Sequence, residues 1–246
     1  MSDPLAPDSI KELMKDVGYA SIKGMLGSFP IVGPYISEIY GISVNSPIQK
    51  RLTEHLCKIT NQLETLEKAQ LLTLDYLKSN QEFLDILIHS GEIAMKNSQE
   101  EKLELLRNAV INTALGIDVS RDEKSMLMNI INEITPLHYK LLKMFYQPKD
   151  YVIPIIKIVY ERQDMRRNVI IPESFNEILK LDKSLFKKLV LDLQTWQLIA
   201  TMDYSYMGFP TDKPEGMIEN TESEILRRNN YFGKKFFEFV HEYPSS

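Results

Sequence analysis

Apolar residues recur at helical spacing through the N-terminal part of the chain. Ser9 is a predicted N-cap with Glu12 three residues later, and the apolar positions that follow share one helical face: Ile10, Leu13, Met14 and Val17. A second pattern begins at Pro47, and its apolar residues alternate in steps of four and three: Leu52, Leu56, Ile59, Leu63 and Leu66. This spacing predicts a coiled-coil-like helix over residues 48–78, with a seam of about two heptads.

Start and stop signals predict three further helices. Ser98 and Glu101 have the spacing of a capping box ahead of a helix at residues 99–115, which Gly116 ends. Another helix is predicted over 122–134, and Thr135-Pro136 supplies an N-cap and a first-turn proline for one over 137–146. Residues 1–147 are therefore predicted to form an N-terminal helical bundle.

From residue 149 onward the pattern breaks into shorter elements. Residues 151–160 are rich in isoleucine and valine, and helices are predicted after Pro172 and at 184–196. The rest predicts a hairpin and a last helix: a strand at 197–206, a Gly/Pro loop at 207–216, a strand at 217–220 and a helix to Val240. This order predicts a winged-helix-like α+β module over residues 148–246. The predicted fold class is mainly α.

Residues 17–44 form an apolar segment unlike the helices around it. The segment holds five of the ten glycines and only two charged residues. Glycine lacks a Cβ, and Pro30 and Pro34 lack amide donors, so the segment is predicted to bend as a hairpin. It is interpreted either as a corner buried in the bundle, which its short length favours, or as a contact with a membrane or partner. The contact residues would be Met25, Phe29, Ile31, Tyr35 and Tyr40.

Composition bears on compartment and class. The 246 residues carry a net charge of −5, which disfavours a protein that coats nucleic acid. Cys57 is the single cysteine, as expected in a reducing compartment. The first nine residues contain acid and proline where a secretory signal has basic and apolar residues, and the charge-free run at 24–37 is shorter than the roughly twenty residues of a spanning helix. We therefore expect a cytoplasmic protein, either free or peripheral at the inner face of the membrane.

The helix at 184–196 would be the recognition helix of a winged-helix module. Lys183, Lys187 and Lys188 are its candidate nucleic-acid contacts, but Asp182 and Asp192 offset them, which leaves little net charge for binding phosphates. Its apolar stripe is predicted to face the core: Leu185, Leu189, Leu193 and Trp196.

No signature of catalysis or metal binding stands out. His89 and Glu92 lie three apart on one predicted helix, whereas zinc and di-iron sites need three or four ligands. The sequence contains no G-x-S-x-G motif and no phosphate-binding glycine loop after a strand, and Cys57 lacks a supporting histidine pattern. We predict no catalytic residue, no cofactor-binding residue and no metal ligand, and an enzyme is disfavoured.

Three pairs of segments carry a resemblance to a known family. They are FPIVGP ahead of the coiled-coil-like helix, EEKLELLRNAVINTAL ahead of INEITPLHYKLLKMF, and LVLDLQTWQLI ahead of YFGKKFFEFV. Together they resemble uncharacterised bacterial helical proteins akin to the abortive-infection alpha family. The resemblance implies a helical protein of phage defence that acts through contacts, and it carries over no catalytic residue.

Two functional hypotheses follow. The leading one is a non-enzymatic interaction protein of bacterial phage defence, which contacts an unidentified protein partner or a membrane surface. The alternative is a winged-helix transcription regulator that binds DNA. A seam of about two heptads is marginal as a free coiled coil, so a monomer is slightly preferred over a dimer.

Overall fold

A computed structural model of the chain describes residues 47–161, 170–200, 222, 225–226 and 229–242. The described residues hold ten helices and no strand, which confirms a mainly α fold. The predicted helix that starts at Ser9, the segment 17–44 and most of the predicted hairpin lie outside the described residues.

The chain divides into two compact units, one of Met1–Asn132 with Phe239–Ser246 and one of Glu133–Glu238. The predicted boundary after residue 147 falls within the second unit. The first unit contains α1 (Pro47–Lys68), α2 (Leu74–Ser79), α3 (Gln81–Lys96), α4 (Glu100–Ala114) and α5 (Arg121–Glu133) up to its penultimate residue. The second contains α6 (Pro136–Tyr146), α7 (Lys149–Glu161), α8 (Ile170–Leu179), α9 (Lys183–Thr195) and all but the last two residues of α10 (Tyr231–Val240).

The predicted seam of α1 is buried within its own unit. Helices α1, α3 and α4 pack against one another, and four seam residues are at most 3% exposed: Leu52, Leu56, Ile59 and Leu63. Burying each of these side chains stabilises the fold by about 1.5–3 kcal/mol relative to leaving it in water. The seam therefore serves as intrachain core.

The start of α4 differs from the prediction. Gln99, and not Ser98, is the N-cap residue, and its side chain makes no capping hydrogen bond. Glu100 Oε1 instead accepts hydrogen bonds from Lys58 Nζ (2.7 Å) and Arg107 Nη2 (2.8 Å). A tertiary ion pair thus takes the place of the predicted local capping box.

Lys102 of α4 is buried although lysine is usually exposed. Its Nζ donates a hydrogen bond of 2.8 Å to the carbonyl oxygen of Asn132 in the last turn of α5. Carbonyls at a helix end lack intrahelical donors, and a cation there also interacts favourably with the helix dipole. Burial lowers the pKa of Lys102 below its ordinary value.

Asn108 and Asn112, one turn apart on α4, cap the end of α10. Asn108 Nδ2 donates to the carbonyl oxygen of Val240 at 2.9 Å. Asn112 Nδ2 donates to those of Phe239 and His241, each at 2.9 Å. These amides satisfy carbonyls that the end of the helix leaves without backbone donors.

His55 is another buried polar group of the first unit. Only 1% of it is exposed, and its Nε2 lies 2.7 Å from Ser90 Oγ. Burial, reinforced by the nearby charge of Arg107, lowers the pKa of His55 to about 3. The imidazole is therefore neutral in the folded protein at neutral pH.

In the second unit α6 packs against α8 and α9, and α7 packs against α8. Tyr146 at the end of α6 donates its hydroxyl proton to the carbonyl oxygen of Leu198 at 2.8 Å, and burial raises its pKa to about 12. A Cβ at Gly233 of α10 would lie 2.0 Å from the same carbonyl oxygen. Only glycine fits this close approach.

The first residues of the predicted strand at 197–206 are not extended. Gln197 has φ = +55° and follows the last turn of α9. Its amide donates to the Gln194 carbonyl at 2.9 Å, and that of Leu198 donates to Leu193 at 2.8 Å, which is the Schellman motif that ends many helices. The prediction of a strand is therefore wrong at 197–200, because these backbone donors cap α9. Leu193 and Leu198 are both fully buried.

Candidate partner-contact site

Helix α9 is fixed at both ends by hydrogen bonds. At its start Asp182 Oδ1 accepts from the amides of Ser184 (2.8 Å) and Leu185 (3.4 Å), which satisfies donors that otherwise lack an intrahelical partner. At its end the Schellman motif turns the chain at Gln197. A helix held in this way has a fixed backbone, which reduces the backbone entropy lost on binding.

One side of α9 is buried and the opposite side is exposed. The buried residues form the core-facing stripe: Phe186, Leu189, Val190 and Leu193. The exposed residues opposite recur at helical spacing, and together with the first-turn lysine we call them the α9 face: Lys183, Ser184, Lys187, Lys188, Leu191 and Thr195.

Leu191 gives the α9 face an apolar centre. It is 55% exposed and lies three and four residues after Lys188 and Lys187, so all three side chains are neighbours on the helix surface. Leu185, predicted to face the core, is 41% exposed because it lies about 90° around the helix from the centre of the buried arc. The α9 face therefore combines aliphatic surface with positive charge.

The lysines of the α9 face differ in their partners. Lys188 Nζ donates to Asp192 Oδ1 one turn later. Lys183 and Lys187 form no ion pair within the ranges that the structure describes. Both can bind an external anion without breaking a described contact.

Asp192 is held from two sides. Its Oδ2 lies 3.2 Å from His138 Nε2 of α6, while Lys188 contacts the other oxygen. Burial alone would raise the pKa of Asp192, but the hydrogen bonds from Lys188 and His138 outweigh it and lower the pKa. The amide of Thr135 donates to His138 Nδ1 at 3.2 Å, so the ring proton of a neutral His138 resides on Nε2 and is donated to Asp192. The centroid of the Trp196 ring lies 5.0 Å from the centroid of the His138 imidazole.

The structure places the predicted nucleic-acid contacts on one exposed surface, where Lys187 and Lys188 flank Leu191. The predicted membrane or partner contacts are outside the described residues: Met25, Phe29, Ile31, Tyr35 and Tyr40.

Other chemical candidates do not converge in the described part of the chain. His89 is half-buried on α3 and Glu92 is exposed. Among the described residues no group of three or more His, Cys, Asp or Glu side chains is arranged to hold a metal ion. Burial raises the pKa of the Cys57 thiol to about 11, so it is protonated at neutral pH.

Sequence reasoning missed two features of this site. The first is the link between Asp192 and His138, for which the only local signal is the unusual acid in the middle of an otherwise basic and apolar helix. The second is the exposure of Leu191, which could have been found from its position opposite Leu189 and Leu193 on a helical wheel.

In the described ranges no helix combines the length and the apolar character that crossing a bilayer requires. Comparison of the chain with protein-family models, with curated proteins and with solved structures finds no match.

Proposed function

We propose that this chain is a non-enzymatic interaction protein of bacterial phage defence that acts by contact with a protein partner or a membrane. The observation that carries the proposal is the α9 face, on a helix fixed at both ends. There exposed Leu191 lies one turn after Lys187, and Lys183 and Lys187 form no ion pair among the described residues. Such a surface suits binding, because interfaces combine an apolar centre with charges at the rim.

The resemblance of three pairs of segments to uncharacterised bacterial helical proteins akin to the abortive-infection alpha family supports the defence role. The polar groups of α4 support a role that does not depend on catalysis. Lys102, Asn108 and Asn112 all bind carbonyl groups at helix ends, so their chemistry serves the fold.

Phage challenge tests the defence role. The chain is expressed in a bacterial host at matched levels, and the plating efficiency of a panel of phages is compared with that of cells carrying an empty vector. We expect reduced plating of at least one phage. Unchanged plating across the panel would count against the defence role.

The sequence of residues 17–44 supports a membrane mode of contact for a cytoplasmic protein that is peripheral at the inner face of the membrane. Flotation of the purified chain with neutral and anionic liposomes tests this mode, with Phe29→Asp and Ile31→Asp as variants. If the segment contacts lipid, the wild type floats and both variants, checked for native helicity, remain in the dense fraction. A wild type that does not float would identify the segment as a buried corner. Flotation that the variants leave unchanged would exclude this segment as the contact.

DNA binding by a winged-helix-like module is the second candidate, favoured by the exposure of Lys183, Lys187 and Lys188 on α9. Duplex DNA binding should then weaken with added salt. Binding releases the cations condensed on the phosphates, and this release is less favourable at a higher salt concentration. It should also weaken when the three lysines are replaced by glutamate. A DNA affinity that is the same after adding salt and after replacing the three lysines would rule this candidate out.

We further propose that the chain acts as a monomer. The support is the α1 seam, whose residues Leu52, Leu56, Ile59 and Leu63 are buried within the chain. Light scattering over a range of protein concentrations should give the mass of one chain, whereas a dimer mass at the lowest concentration would contradict this.

A further inference from the structure

The α9 face offers one kind of partner a better match than others. Its charged groups are cations, since the carboxylate of Asp182 binds the amides at the start of α9 and that of Asp192 binds Lys188 and His138. A partner that matches Lys183 and Lys187 must therefore supply anionic groups.

Charge alone does not describe the match, because Leu191 lies on the same surface as Lys187 and Lys188 and is 55% exposed. Covering this side chain removes apolar area from water, which is favourable only against an apolar group of the partner. A nucleic-acid backbone offers phosphates but little aliphatic surface. A peptide that carries both carboxylates and leucine-like side chains offers both components.

We propose that the α9 face binds an acidic, aliphatic peptide segment of a partner protein. The carboxylates of the segment pair with Lys183 and Lys187, and an aliphatic side chain packs on Leu191. This inference rests on the proposed function and names the chemical class of its protein partner. Charge complementarity selects this occupant, since Lys183 and Lys187 are exposed cations that form no ion pair among the described residues.

The hydrogen bonds that hold α9 in place also favour a preformed site. Asp182 and the Schellman motif fix the ends of α9, and the contact of Asp192 with His138 holds its last turn against α6. A rigid site loses little conformational entropy when a peptide binds. Lys183 and Lys187 are left as the flexible exposed groups that attract the acidic segment.

Fluorescence anisotropy with labelled peptides and the full chain tests the proposal. The probe is an amphipathic peptide of glutamate and leucine, compared with a glutamine/leucine peptide, a glutamate/serine peptide and a duplex DNA. We expect the glutamate/leucine peptide to bind best. In Lys183→Glu/Lys187→Glu its affinity should fall about tenfold, mostly because association is slower, and its binding should depend less on salt concentration. Leu191→Ser should also lower the affinity for the glutamate/leucine peptide and leave the affinity for the glutamate/serine peptide unchanged.

The matched control is Lys140→Glu/Lys149→Glu, which makes the same change in net charge at two exposed lysines of α6 and α7. Equal weakening by the control variant would show that net charge, and not the α9 face, attracts the peptide. Binding of the glutamine/leucine peptide as strongly as the glutamate/leucine one would also overturn the proposal. Tight, salt-sensitive binding of the duplex without peptide binding would assign the face to nucleic acid instead.

The same variants separate this inference from the proposed function. If Lys183→Glu/Lys187→Glu weakens neither peptide binding nor phage protection, the α9 face is not the site, while the defence role stands. If the wild type gives no protection but binds the acidic peptide through the α9 face, the partner class stands and the defence role fails.

Discussion

Lys102 of α4 and Lys187 of α9 are the same residue type on two helices, yet their surroundings differ. Lys102 is 5% exposed and donates to a carbonyl at the end of α5, whereas Lys187 is exposed and forms no ion pair among the described residues. Like Lys102, Asn108 and Asn112 of α4 are buried and donate hydrogen bonds to carbonyl oxygens at a helix end, in their case that of α10. Helix α4 thus uses polar groups to hold the fold, and α9 leaves them available for a partner.

This difference shows what distinguishes structural from functional charge. A buried polar group is retained because its removal leaves a desolvated partner, which costs more than the bond itself contributes. An exposed cation contributes little to stability, so an unpaired one can serve binding without loss of stability. Substitutions in α4 should therefore affect folding, and those on the α9 face should affect binding.

The largest expected effect is that of Asn112→Asp in α4. The substitution replaces the amide donor with a carboxylate facing the carbonyl oxygens of Phe239 and His241 at the negative end of a helix. We expect a loss of about 3 kcal/mol or more in the free energy of unfolding, measured by urea denaturation. Asn129→Asp, at an exposed position of α5, is the matched control and should change it by less than about 0.5 kcal/mol. Equal losses would mean that the caps on α10 contribute nothing.

Lys102→Met should produce the next largest effect. It keeps the apolar stem but leaves the carbonyl oxygen of Asn132 without its side-chain donor, so we expect a loss of about 1–3 kcal/mol. Lys183→Met on α9, the same change at an exposed lysine, should stay within about 0.5 kcal/mol of the wild type. The contrast between α4 and α9 fails if the two variants unfold at the same urea concentration.

The pH dependence of stability tests the buried His55. Between pH 6.5 and about 3 the unfolded chain binds a proton at His55 that the folded chain does not, because its folded pKa is about 3. Stability should therefore fall as the pH is lowered through this window, by up to about 1.4 kcal/mol per pH unit. His55→Gln keeps a polar group near Ser90 but cannot titrate, so it should flatten the slope. Parallel profiles for both proteins would mean that His55 is protonated in the folded state.

The smallest expected effect is a gain from Gln197→Gly at the end of α9. Gln197 has φ = +55°, a conformation that glycine adopts without a Cβ penalty. We expect unfolding to cost about 0.5–1 kcal/mol more, with unchanged peptide binding at the α9 face. Gln194→Gly, within the helix, should have the opposite sign, at about 1 kcal/mol of destabilisation. A loss at both positions would show that residue 197 is not left-handed in solution.

Much of the helical organisation could be predicted from local signals. Pro47 and Pro136 each begin a helix as predicted, Thr135 is an N-cap, and Gly116 with φ = +75° follows the end of α4. These features depend on neighbouring residues alone, because caps and turns are made within one or two turns of backbone. The strand prediction is wrong at 197–200, because leucine and isoleucine after a helix serve equally well in its buried C-cap.

The sequence by itself determined that the chain is mainly helical, where several helices begin and end, and which lysines lie on one helix. Only the tertiary structure decided that Lys102 and Asn112 are buried. It also decided that Asp192 has His138 as a partner 54 residues away. The physical reason is that helical periodicity is a local property, whereas the burial and pairing of a side chain depend on which other helix packs against its face.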